Sequence, residues 1–266
     1  MVLHRAPAAL VGRGRRRQLG GLRLGDHDLR LFLLAAEQGH EPHPSAASPH
    51  SPAGRRRHTG LVPSPSADDE ALTGAKQLLR RAVRQRRAVR PAEQRAADDL
   101  ARFDRLTALL APEREPVVAC YLGTGDEPGT TRLVGWLAAQ DVPVLLPLVG
   151  RADGAPRRRP DWAWYTGPDG LRSGPRGIPE PDARGLGARA LASASVVVCP
   201  ALAGTARGER LGTGAGWYDR ALREARPDAV TIMLLNDDEV LPTLPTQAWD
   251  RRMDLVVTPT RVLRAG

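Results

Sequence analysis

The chain is predicted to fold as an α/β protein with a mostly parallel open sheet and flanking helices. Two observations lead there. From about residue 73 onward, short apolar runs bounded by turn residues alternate with helix-patterned segments. A glycine-rich loop, Arg210-Leu211-Gly212-Thr213-Gly214-Ala215-Gly216-Trp217-Tyr218-Asp219-Arg220, follows one of those runs and precedes a helical pattern. Strand–helix–strand alternation at this spacing implies right-handed crossovers and parallel pairing.

Length and composition agree. The 266 residues suit one large domain with an extension. Apolar residues make up 41% and aromatics only 4%, so aliphatic side chains must fill the core. The net charge is +9, and every one of the 39 basic residues is arginine except Lys76. Such a balance can reflect attraction to nucleic acid or polyphosphate, or an arginine-rich composition on a solvated surface. The arginines are spread along the chain and form no single stripe, which favours the second reading. Cys120 and Cys199 lie in apolar runs without CxxC or Cys/His spacing, so neither a disulfide framework nor a metal site is expected. No apolar stretch approaches the ~18 residues of a membrane span. The patch at 31–36 is too short and too late for a signal peptide, and the expected location is the cytoplasm.

Residues 1–72 read differently from the rest. They carry Arg15-Arg16-Arg17, Arg55-Arg56-Arg57 and a Pro/Ser/His-rich stretch over 41–66. Such sequence cannot bury enough apolar surface to offset its ordering entropy. It is read as a disordered extension, or as upstream sequence translated from an early start. A His-rich tract could bind metal, but the spacing of these histidines is irregular. All six (His4, His27, His40, His43, His50, His58) fall here. Chemistry in the domain over 73–266 must therefore proceed without imidazole.

The elements follow in order. Residues 71–89 have helical spacing, with Leu78, Leu79, Ala82 and Val83 on one side and arginines on the other. Pro91 suits the first turn of a second helix over 92–110. Residues 116–122 read as a buried strand, 130–140 as a helix and 142–148 as the next strand. The Gly/Pro/Arg-rich stretch 151–186 contains Trp162-Ala163-Trp164-Tyr165, one side of a hairpin. A short helix over 188–194, a strand over 195–199, a helix over 217–224 and strands over 229–235 and 254–258 complete the pattern.

Glycines let backbone N–H groups turn toward an anion, and a following helix start adds its positive dipole end. Arg210 and Arg220 flank the loop and can pair with phosphate oxygens. Tyr218 can bond a phosphate or stack, and Asp219 can offer oxygen to Mg²⁺. The loop is not a Walker A loop, because GK[ST] is absent, and its third glycine comes one residue early for a dinucleotide fingerprint.

The whole string behind the run ending Val197-Val198-Cys199-Pro200-Ala201-Leu202-Ala203 resembles the 5-formyltetrahydrofolate cyclo-ligase (5,10-methenyltetrahydrofolate synthetase) family. The resemblance runs from about Lys76 to Val262. It includes Lys76, Leu79 and Arg80, Glu127-Pro128 with Thr130, and Val142 to Pro147. It continues through Gly177-Ile178-Pro179-Glu180-Pro181, Leu244-Pro245 and Asp254 to Pro259. It implies a three-layer Rossmann-like fold and ATP- and Mg²⁺-dependent closure of 5-formyltetrahydrofolate to 5,10-methenyltetrahydrofolate. Lys76, Arg210 and Glu127 are then expected to carry the chemistry. Lys76, Arg80 and the loop from Arg210 through Gly212, Thr213, Gly214, Ala215, Gly216, Trp217, Tyr218 and Asp219 to Arg220 would hold ATP. Asp219 would hold the metal. Glu127, Trp164, Tyr165 and Tyr218 would contact the folate. Each has a plainer reading: an exposed helix lysine, a surface arginine, a helix-start carboxylate before Pro128, a core aromatic. Glu180 likewise matches the family step or serves a turn.

The chain departs from the family pattern at four places. Thr205 stands where an acid is expected and Gly204 where an apolar residue is usual. Asn236 replaces an aromatic, and Trp249-Asp250 replaces His-Asp. Two other readings therefore stand beside an active enzyme: a folate- or nucleotide-binding relative impaired in catalysis, and a nucleic-acid-binding protein using the basic tail. The partner expected is a small-molecule folate, with no membrane, no specific nucleic acid and a monomeric state.

Overall fold

The computed structural model describes residues 67–110, 116–151, 153–245 and 251–265. Residues 1–66, with all the histidines, and Trp249-Asp250 lie outside them.

Two helices open the described chain, α1 (Ala67–Ala88) and α2 (Ala92–Leu109). α1 starts ahead of the boundary expected at 73. Eight further elements follow: β1 (Val118–Ala119), α3 (Thr131–Ala139), β2 (Val144–Pro147), β3 (Trp162–Trp164), β4 (Leu171–Ser173), β5 (Pro179–Pro181), β6 (Val196–Pro200) and β7 (Ala203–Thr205). The chain then forms β8 (Arg210–Leu211), α4 (Trp217–Ala221), β9 (Val230–Leu234), β10 (Val240–Leu241), β11 (Leu255–Val257) and β12 (Val262–Arg264). The short helix expected over 188–194 is a 3₁₀ segment, Ala188–Ser193. The helix expected over 217–224 is a single α turn that tightens into 3₁₀ at Leu222–Glu224.

The main sheet has the order β12-β11-β9-β6-β1-β2-β3. Its inner strands run parallel, with Val118 level with both Val144 and Val196. β12 and β3 run antiparallel at the two edges. The Trp162–Trp164 strand thus pairs with β2, as one side of a hairpin with a long connection. Two smaller pairings lay outside the sequence pattern: the β4–β5 hairpin and the sheet β10-β7-β8.

Alternation along each strand divides the core between the two faces. Val118, Cys120, Val144, Leu146, Val198 and Ile232 meet Leu106 of α2 and Leu133 and Leu137 of α3 on one face. Ala119, Leu145, Trp162, Val197, Cys199 and Met233 meet Leu191, Ala221 and Leu222 on the other. Helix, sheet and helix thus form three layers. Cys120 and Cys199 sit on opposite faces, both reduced and buried, and burial pushes each thiol up to about 12.

α1 corrects one expected face. Leu79 and Val83 pack on Leu202, Ala203 and Leu211, but Leu78 is 66% exposed. The buried line continues instead to Arg87, which is 2% exposed. Positions 79, 83 and 87 recur every four residues and so stack on one face, while Leu78 lies more than a quarter of a turn away, toward solvent.

Candidate active site

β1 and β6 are neighbours, yet the chain leaves β1 for β2 on one side and reaches β6 on the other. Crossovers that diverge in this way open a crevice at the carboxyl ends of the strands. The segment leaving β6 begins at Pro200 and runs through β7 and β8 into the glycine loop. A cavity of about 320 Å³ lies there. Its lining combines Lys76 and Arg80 of α1 with Pro200, Arg210, Gly212, Gly214, Trp217 and Asp219, among others. Residues 76 and 210 thus line one cavity.

The loop needs its glycines for conformation. Gly214 and Gly216 have φ of 104° and 61°, a region costly for residues with a Cβ. Arg80 Nε donates to the Gly212 carbonyl at 2.9 Å and Arg84 Nη2 to the Thr213 carbonyl at 3.3 Å, so α1 is fastened to the loop. Burial, together with the positive charge of Arg84, lowers the Arg80 guanidinium, with Asp219 opposing. An anion in this cavity would relieve that crowding.

Arg210 pairs with Asp219, and its guanidinium lies over the Tyr218 ring. Arg210 Nε, Trp217 Nε1 and Tyr218 Oη are buried and have no hydrogen-bond partner among the described residues. All three side chains line the cavity. Buried polar groups without partners are costly, and these three side chains add polar character to the lining. Burial pushes the Tyr218 hydroxyl well above its ordinary value, so it keeps its proton.

The other expected residues divide. Thr213 and Tyr218 line the cavity, whereas Ala215 and Arg220 do not; Arg220 Nη1 instead donates to the Ala215 carbonyl at 3.1 Å. α4 has five residues, so the helix dipole expected at the loop's end is short, and backbone N–H groups and guanidinium charge remain. Among the described residues no group of three or more His, Cys, Asp or Glu could hold a metal. Asp219 offers one carboxylate, which suits Mg²⁺ that also takes phosphate oxygens and water.

Glu127 stands on the loop leaving β1, beside the same crevice but outside the cavity lining. Its Oε2 accepts from Thr124 N at 3.1 Å. The loop doubles back tightly: a Cβ on Gly123 would lie 2.4 Å from the Pro128 carbonyl oxygen, and Tyr121 Oη donates to that oxygen at 3.1 Å. Trp164 is 38% exposed on the edge strand, and Tyr165 packs partly against the α2–α3 face of the core. Neither lines the cavity. The aromatic that meets the loop is Trp162, which the sequence reading left out. It is fully buried and edge-on to Trp217 at 5.2 Å and to Tyr218 at 6.4 Å. Trp162 and Trp164 share one face of β3, and only the first is covered by α4.

Three departures from the family pattern have structural accounts. Thr205 is buried, and its hydroxyl donates to Glu209 Oε2 at 2.8 Å, so a carboxylate lies beside it, supplied from four residues on. A Cβ on Gly204 would meet Met233 Sδ at 2.6 Å; Met233 fills that volume. Asn236 caps the 3₁₀ turn at 237–239 in a capping box with Glu239. Glu180 is structural. Its carboxylate accepts from Val149 N at 2.7 Å and Gly150 N at 2.8 Å, and from Arg172.

A family profile described as 5-formyltetrahydrofolate cyclo-ligase matches residues 72–259. The chain belongs to the 5-formyltetrahydrofolate cyclo-ligase family. It is 37% identical over 188 residues to a 5-formyltetrahydrofolate cyclo-ligase of Mycolicibacterium smegmatis, covering 70% of this chain and 95% of that protein. Its fold matches the solution structure of an Aquifex aeolicus 5,10-methenyltetrahydrofolate synthetase with a TM-score of 0.61 and 25% identity, over 71% of this chain and 92% of the other. A Mycoplasma pneumoniae 5,10-methenyltetrahydrofolate synthetase shares the fold with a TM-score of 0.54 at 17% identity, over 69% and 98% of the two chains. The profile covers the cavity, both loops and α1 from its second turn onward. No described helix is long and apolar enough to cross a membrane.

Proposed function

We propose that this cyclo-ligase family member converts 5-formyltetrahydrofolate to 5,10-methenyltetrahydrofolate, with ATP cleaved to ADP and phosphate. The observation that carries the reading is the cavity between α1 and the glycine loop. There Lys76, Arg80 and Arg210 gather around glycines 212, 214 and 216.

Phosphoryl transfer depends mainly on positioning and charge neutralisation. Lys76 and Arg80 face the loop and supply positive charge to a triphosphate. Arg210, fixed between Asp219 and Tyr218, supplies a guanidinium with an unpartnered Nε. Mg²⁺, held on its protein side by Asp219, would neutralise charge on the phosphate oxygens. The formyl oxygen of the folate takes the terminal phosphoryl group and ADP departs. The folate N10 then attacks the formyl carbon, the C–O bond to phosphate breaks, and the ring closes as phosphate leaves carrying the N10 proton.

Glu127, on the β1 loop beside the cavity, suits an N–H-bearing ring held next to the phosphoryl acceptor. None of these steps needs imidazole, in keeping with a domain that has no histidine from residue 59 onward. The Glu209 carboxylate beside Thr205 weighs against an impaired relative, because the acid missing at 205 is restored nearby.

The test is spectrophotometric. Purified chain mixed with ATP, Mg²⁺ and 5-formyltetrahydrofolate should show rising methenyltetrahydrofolate absorbance, with one ADP formed per product. Folded protein giving no product beside a working control enzyme would refute the proposal.

A further inference from the structure

We propose that the buried Arg87–Glu239 pair is a positioning device that sets α1 so that Lys76 and Arg80 face the glycine loop. The inference rests on reading the cavity as the ATP-phosphate site.

Positions 76, 80, 84 and 87 fall on one face of α1. Their contacts follow one track along the loop. Lys76 and Arg80 line the cavity. Arg80 Nε reaches the Gly212 carbonyl at 2.9 Å, Arg84 Nη2 the Thr213 carbonyl at 3.3 Å, and Arg87 Nη2 the Ala201 carbonyl at 2.7 Å. Only the last contact is sealed from water. Arg87 also donates to both carboxylate oxygens of Glu239, at 2.6 and 2.8 Å, and each side chain is 2% exposed.

Glu239 is itself held. Its Oε2 accepts from Asn236 N at 2.8 Å and its Oε1 from Asn236 Nδ2 at 2.9 Å. Arg87 therefore ties α1 to two segments at the carboxyl edge of the sheet. One leaves β6 directly after Pro200, part of the cavity wall; the other leaves β9.

A buried ion pair is a poor source of net stability, since apolar residues of similar volume often do as well. What the planar fork adds is direction: two parallel N–H donors accept a carboxylate in one orientation. α1 has few apolar anchors, chiefly Leu79 and Val83, and these leave rotation about the helix axis weakly specified. Back from Arg87 to Lys76 the helix runs about 16 Å, so a small tilt at the fork moves the lysine off the cavity. Arg87 acts through the helix and does not touch the ligand.

The test uses the full-length chain and the double variant Arg87→Met/Glu239→Gln. Methionine fills the stem's space and glutamine can still bond Asn236. The expected result is a thermal midpoint close to the parent's. ATP affinity by calorimetry should weaken, and KM for ATP rise, each about tenfold. The kcat should change less, and KM for 5-formyltetrahydrofolate should stay unchanged. Arg87→Lys keeps the charge without the fork and should fall between parent and double variant. Parental ATP affinity in the double variant overturns the proposal. If that variant does not fold, Arg87→Lys decides: weakened affinity with an unchanged folate KM supports the proposal, and parental affinity overturns it. Failure of the underlying reading looks different, because then the parent itself binds no ATP.

Discussion

Arg210 holds its guanidinium 6.0 Å from the centre of the Tyr218 ring. Asp219 pairs with the same group, so the charge is held in place by two neighbours. Removing it with Arg210→Ala should lower kcat by about 10²–10³-fold, the usual cost of losing one preorganised charge at a transition state. Arg210→Lys should recover only part, since a flexible ammonium cannot reproduce the fork. Steady-state rates with saturating folate check both; an Arg210→Ala enzyme of parental kcat would exclude a role in the chemistry.

Lys76→Met should raise KM for ATP about tenfold or more while leaving the thermal midpoint nearly unchanged. Lys76 is half-buried at the cavity. A variant with parental ATP kinetics would make the residue an ordinary helix lysine.

Acid should expose the Glu239 contact. Burial by itself would raise this carboxyl, but hydrogen bonds and charge from Arg87 hold it below its ordinary 4.5. A carboxyl depressed in the folded state adds stability that is complete above the unfolded value. That stability is lost as pH falls through the lower folded value. The parent's thermal midpoint should therefore drop faster than that of Glu239→Gln below pH 4.5, so that the two curves converge. Parallel curves would contradict the depressed value. Arg87→Ala, which strands a buried carboxylate, should cost about 3–5 kcal/mol at neutral pH.

Two glycine substitutions should behave differently. Gly208 has φ of 83°, and a Cβ there would lie 2.1 Å from the Met253 carbonyl oxygen. That contact is backbone and cannot yield, so Gly208→Ala should cost more than about 3 kcal/mol. Gly125 has φ of 62° with nothing near its Cβ position. Gly125→Ala should cost only the left-handed penalty, about 1–2 kcal/mol. Urea midpoints compare them directly.

The two thiols should be silent in the native protein. With burial raising both to about 12, neither Cys120 nor Cys199 should react with an aromatic disulfide reagent at about pH 8, where exposed thiols do. Both should react once denaturant is added. Rapid native labelling would mean that the strand ends open readily.

Much of this architecture can be read from residue order, for physical reasons. Parallel strands covered on both faces appear as unbroken apolar runs such as Val196 to Cys199, and the glycines of the loop announce a backbone no other residue accepts readily. The rest depends on pairings between distant residues. β7, β8 and β10 are two or three residues long and carry no period. Trp162 and Trp164 look alike in sequence, and only the placement of α4 separates a buried ring from an exposed one. Arg87 is hidden among its neighbours Arg84 and Arg86, because nothing local distinguishes an arginine whose partner lies in another part of the chain. Glu180 matched a family motif, yet its place is to gather the Val149 and Gly150 amides.

Arg87 and Glu239 stand 152 positions apart. During synthesis the first helix emerges long before its counter-charge exists, and an unmatched guanidinium resists burial. Stable seating of α1 must wait until the strands through β9 have assembled and delivered the 3₁₀ turn behind them. The opening helix of the described chain is therefore seated late, and the placing of Lys76 and Arg80 at the glycine loop waits on it. A chain that stops short of residue 239 would lack the counter-charge that seats α1, a form of timing written into topology.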